Sequence, residues 1–123
     1  MSRNTRTIEP RRIHPFMATP FALVMTTCGD KANAETIATR LVEERLSACV
    51  QIFPIESVYR WEGAVQHANE WMLFCKIKSN DYANVEAAIR AAHTYSNPEI
   101  VEVGIENGAK AYLAWIASAT RDE

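Results

Sequence analysis

Residues 47–63 read SACVQIFPIESVYRWEG and residues 64–79 read AVQHANEWMLFCKIKS, and the fold turns on this stretch. Two long runs of apolar, β-branched and aromatic residues flank a polar region at 62–69. That pattern predicts a β-hairpin with its turn in the polar region. A half-buried strand alternates apolar and polar residues, but residues 71–75 (WMLFC) are apolar at every position and 52–55 (IFPI) nearly so. Successive side chains point to opposite faces of a strand, so both faces of this ribbon need cover. Pro54 has no N–H to give a ladder and predicts a bulge or an edge strand.

Working upstream, residues 21–27 (FALVMTT) form a short continuous apolar run ending in Cys28-Gly29-Asp30, a buried strand followed by a turn. Asp30 or Asn33 can cap a helix, and Ala34, Ile37, Ala38, Leu41, Val42 and Leu46 recur at spacings of three and four. A first helix is expected over residues 31–46. Downstream, Ser79, Asn80 and Asp81 are cap residues for a second helix. Its apolar face is Tyr82, Val85, Ala88, Ile89 and Ala92, and it ends near His93. The linker at 94–98 closes on Pro98, and the residue before a proline avoids the α region. Residues 99–105 (EIVEVGI) read as a strand, Asn107-Gly108 as a turn and 109–119 as a last helix.

The order β-α-β-β-α-β-α begins with the ferredoxin-like βαββαβ arrangement and adds a C-terminal helix, an α+β fold. Both helices of that arrangement cover one face of an antiparallel sheet and leave the other bare. The hairpin is too apolar to leave that face in water, and its arms outrun the other strands. Self-association into a closed ring is the simplest cover.

The 123 residues suit one domain, expected at 19–123, behind a flexible basic arm at 1–18 carrying Arg3, Arg6, Arg11 and Arg12. The formal net charge of -2 argues against nucleic acid as a partner. The absence of an apolar run of about 18 residues argues against a membrane span. Cys28, Cys49 and Cys75 are widely spaced in apolar contexts. They read as buried reduced thiols, with a metal or redox role as the other reading. No nucleotide-binding glycine loop, GxSxG elbow or HExxH motif occurs, and the three histidines are far apart, so no enzyme is expected.

Polar and aromatic residues do gather at the strand ends. Tyr59, Arg60, Trp61 and Glu62 close the first hairpin arm, Glu70 opens the second, and Lys76 sits in an apolar run where a lysine needs a partner. His93, Tyr95 and Glu99 bracket the end of the second helix. Each has a structural reading: interface packing for Tyr59 and Trp61, an ion pair with a glutamate for Lys76, a charge at a helix C-terminus for His93, a solvated edge for Glu99. The functional reading is that they converge in one cleft between subunits.

These residues also carry a resemblance. LSACV at 46–50, SVYRWEG at 57–63, Lys76, HTYSNPEI at 93–100 and YLAWI at 112–116 resemble the CutA divalent-cation-tolerance family, over about residues 20–119. The resemblance implies a ferredoxin-like protomer similar to PII signalling proteins. It implies an intertwined homotrimer of long hairpins, a cytoplasmic location and a link to copper and other divalent cations. The metal ligands it implies are His93 and Glu99, with Cys28, while Thr26 and Ala92 stand where bacterial members carry a cysteine and a second histidine. Such a set suits weak binding of a borderline ion such as Cu(II) or Zn(II), not required for folding. As an alternative, the PII likeness implies a small metabolite or partner protein in the cleft, held by Lys76, Arg60, Tyr59 and Trp61.

Overall fold

The structure is a computed structural model that describes residues 19–122, so the expected basic arm lies outside the described residues. The elements run β1 (Phe21–Cys28), α1 (Lys31–Glu43), β2 (Cys49–Trp61), β3 (Ala64–Lys78), a single 3-10 turn (Ser79–Asp81), α2 (Tyr82–Ala92), β4 (Ile100–Ile105) and α3 (Lys110–Ala119). All four strands pair antiparallel in the order β2-β3-β1-β4, the expected ferredoxin-like sheet.

Local chemistry sets the joints. Asp30 Oδ1 accepts the Asn33 N–H at 2.7 Å and starts α1. The helix stops at Glu43, short of residue 46. The chain turns left-handed at Arg45 (φ 61°), and the N–H groups of Leu46 and Ser47 both return to the Leu41 carbonyl. The hairpin turn is also tighter than its polarity suggests. Residues 64–69 belong to β3, and only Glu62 and Gly63 reverse the chain, both at positive φ (52° and 81°). Two consecutive positive φ values make a type I′ turn, whose twist matches that of the flanking strands. Pro54 sits in an unbroken register opposite Trp71, so it marks an edge strand and not a bulge.

Alternation divides the sheet into two faces. Ala22, Val24, Thr26 and Cys28 of β1 and Leu73, Cys75 and Ile77 of β3 point under the helices, where they meet Ile37, Leu41, Val85 and Ile89. Full burial of each large aliphatic side chain contributes about 1.5–3 kcal/mol. The other face presents Met25, Phe53, Phe74, Val101 and Val103, with Phe53 and Phe74 edge to face at 4.9 Å. Val101 and Val103 are 44% and 49% exposed. One end of this face is met by α3: Lys76 Nζ donates to Tyr112 Oη at 3.3 Å and lies over the same ring. The expected glutamate partner for Lys76 is therefore replaced by a tyrosine, and among the described residues no carboxylate pairs with it.

The register of β1 ends at Cys28 opposite Trp71, so among the described residues the 64–70 stretch of β3 pairs with β2 alone. The hairpin projects beyond the sheet by these seven residues, roughly 23 Å of two-stranded ribbon.

Candidate functional site

At the root of the ribbon, where β1 ends, lies a cavity of about 720 Å³. One wall is the ribbon: Ser57, Tyr59 and Trp61 project from one face of β2, and Glu70, opposite Ile55, from the same face of β3. The other wall is the segment after α2, with Tyr95 and Glu99. Glu70 is buried, and the Tyr95 hydroxyl donates to its Oε2 at 2.8 Å. Burial and that carboxylate together push the Tyr95 hydroxyl pKa up, so it stays a donor. The Glu99 carboxyl is raised from its ordinary value by burial and by the charge of Glu70. Among the described residues, the lining carries two carboxylates and no lysine or arginine.

Tyr95 reaches Glu70 by passing Gly29, the residue after β1. A Cβ on Gly29 would stand 2.9 Å from the Tyr95 hydroxyl oxygen. The turn thus needs a residue without a side chain so that a phenol can cross it.

Beside the cavity, His93 caps the C-terminus of α2. Its Nδ1 accepts the Tyr95 N–H at 3.0 Å, so in the neutral ring Nε2 carries the proton and donates to the Thr27 carbonyl at 2.8 Å. Cys28 Sγ lies 3.8 Å from the same Nε2. Burial holds the His93 pKa below its ordinary value, which keeps the ring neutral and suits both bonds. The reading of His93 as a cation at a helix end gives way to a neutral ring that ties α2 to β1.

The expected convergence is therefore partial. Tyr59, Trp61, Tyr95 and Glu99 meet in the cavity, and His93 and Cys28 meet next to it. Arg60 leaves β2 on the face opposite to Tyr59 and Trp61, Glu62 is in the hairpin turn, and Lys76 is six residues along β3 from Glu70, about 20 Å away. None of these three lines the cavity of this chain. Glu70, which the sequence places in the strand-end cluster, becomes its central carboxylate.

A family model described as "CutA1 divalent ion tolerance protein" matches residues 22–119. The chain belongs to the CutA1 family. It is 41% identical over 93 residues to the divalent-cation tolerance protein CutA of Archaeoglobus fulgidus, spanning 76% of this chain and 91% of that one. It is 39% identical over 99 residues to the divalent-cation tolerance protein CutA of Thermus thermophilus, spanning 80% of this chain and 96% of that one. Among solved structures, "stable protein, CutA1" from the psychrotrophic bacterium Shewanella sp. SIB1 superposes with a TM-score of 0.82 at 35% identity, covering 85% of this chain and 99% of that one.

The family's name points to divalent ions, and the donors implied for them fit poorly in this CutA1 chain. The Cys28 thiol is pushed up to about 11 by burial, with Asp30 and Glu70 adding to it, so it is protonated at neutral pH. Both nitrogens of His93 are engaged. Among the described residues, no group of three His, Cys, Asp or Glu side chains is arranged to hold an ion. Cys28, His93 and Glu99 do not form a ready ligand set. The two cavity carboxylates are the other oxygen donors at hand.

The Tyr95 crossing makes a prediction. Gly29→Ala forces the phenol aside and leaves Glu70 without its donor, at a cost of about 1–3 kcal/mol in urea unfolding. In a Tyr95→Phe background the hydroxyl is already gone, so the same substitution costs under about 0.5 kcal/mol. Additive losses in the double variant would rule out the clash as the cause.

Proposed function

We propose that this CutA1 chain is a non-enzymatic divalent-cation-binding protein of the cytoplasm, working as a homotrimer, with the ion drawn to Glu70 and Glu99. The observation that carries the proposal is the uncompensated negative charge of the cavity, where two carboxylates face a lining without lysine or arginine among the described residues. Carboxylate oxygens favour hard and borderline ions, and Cu(II) and Zn(II) fit that description. The bare apolar face of Phe74, Val101 and Val103 supports a trimer, because a second copy of the chain supplies a matching apolar surface. The alternative, an anionic metabolite gripped by Lys76 and Arg60 as in PII-like modules, has neither cation in the cavity to support it.

Calorimetric titration of the wild-type protein with CuCl2 and ZnCl2 checks this. Weak binding is expected, reduced about tenfold or more by Glu99→Gln and by Glu70→Gln. Affinity rises with pH as Glu99 gives up its proton. Wild-type protein that takes up neither ion removes the proposal. Loss of binding in His93→Ala, with both glutamine variants unaffected, moves the ion to the imidazole.

A further inference from the structure

The cavity is much larger than a metal ion requires. Six coordinated waters fill about 180 Å³ at roughly 30 Å³ each, against a cavity of about 720 Å³. That volume lies in the range of small-molecule sites. Its walls are also unlike those of a bare ion site, since Tyr59, Trp61 and Tyr95 line it beside the two carboxylates. Within one chain Tyr59 and Trp61 are 45% and 51% exposed, and both line the cavity. Rings and carboxylates together recognise an organic cation: the ring faces attract the positive charge and its alkyl groups, and the carboxylates accept its N–H bonds.

We infer that the cavity between the ribbon and the 94–99 segment binds a small organic ammonium ion, its charge on Glu99 and Glu70 and its carbon chain against Trp61 and Tyr59. The inference rests on the reading of this cavity as a cation site and names a second class of cation for it. Tyr95 is a positioning residue. By donating to Glu70 Oε2 it fixes one oxygen and leaves the rest of the carboxylate free to accept an ammonium N–H. The neutral neighbours Ser57, Thr94, Ser96 and Asn97 add hydrogen-bonding capacity without adding charge. A dicarboxylate of the same length meets two like charges in this cavity, so the site discriminates by sign.

The test is calorimetry on the wild-type assembly with three probes: putrescine, succinate and ZnCl2. Putrescine is expected to bind and succinate is not. Trp61→Leu should weaken putrescine about 2- to 30-fold, and Glu99→Gln about 10- to 100-fold. Trp61 is exposed, and circular dichroism checks that the variant keeps its fold. Zinc binding without putrescine binding overturns this inference and leaves the divalent-cation reading standing. Putrescine binding without zinc binding does the reverse. Putrescine binding that ignores Trp61→Leu, or succinate binding as tightly as putrescine, also overturns it.

Discussion

Val101→Lys combined with Val103→Lys should turn the proposed trimer into single chains of 13.8 kDa, read as a threefold drop in mass by light scattering. Both valines lie on β4, an outer strand of the sheet, and both point to the face opposite α1 and α2. Within one chain they are about half exposed, so lysine there disturbs no core, and exposed edge strands accept lysine readily. In an assembly that buries this face the balance differs. Each valine forfeits about 1.5–3 kcal/mol of burial, and each ammonium meets an apolar surface without a partner, which costs several kcal/mol more. Closed symmetry repeats the loss at every interface. Far-ultraviolet circular dichroism should be unchanged. An unchanged mass would show that the ring closes through another surface, and a monomeric wild-type protein would end the trimer proposal.

The second large effect is in the core. Leu73 is fully buried in the middle of β3, paired with Ile52 on one side and Thr26 on the other. Leu73→Ala removes its contacts beneath the helices and should cost about 2–5 kcal/mol in urea unfolding at fixed protein concentration. Val58→Ala, on the exposed ribbon, should stay within about 0.5 kcal/mol. The β1 partner on the same rung gives an opposite sign. The Thr26 hydroxyl is buried and has no hydrogen-bond partner among the described residues, so Thr26→Val, nearly the same shape, should stabilise by about 1 kcal/mol. A loss with Thr26→Val would mean that the hydroxyl has a partner in the assembled protein.

The element order was legible because strands and helices carry different patterns: continuous apolar runs in β1 and the hairpin arms, spacings of three and four in α1 and α2. Pro54 narrowed its own position to a bulge or an edge strand, and the unbroken register settled it as an edge. The turn was not legible. Residues 64–69 are polar enough to read as a loop, yet they are strand, because a ribbon that projects past its sheet is wet on both sides within the chain and its polarity stops reporting on hydrogen bonding. The site was half legible. Tyr59, Trp61, Tyr95 and Glu99 stand out as aromatic or charged residues at strand ends, and the fold gathers strand ends. Contacts that span long stretches of chain were hidden. Lys76 finds Tyr112 36 residues away, and Tyr95 finds Glu70 25 residues away by way of a gap at Gly29. Nothing in local spacing encodes such a crossing.

The projecting ribbon built on residues 64–70 also bears on how the protein answers dilution. Among the described residues its two strands pair only with each other, and Val58, Tyr59, Trp61 and Val65 on it are exposed. If copies of the chain cover them, folding and assembly share one equilibrium, and mass action enters the melting temperature. The protein's heat resistance is then a property of its abundance: a cell that makes more of it also makes each molecule harder to melt.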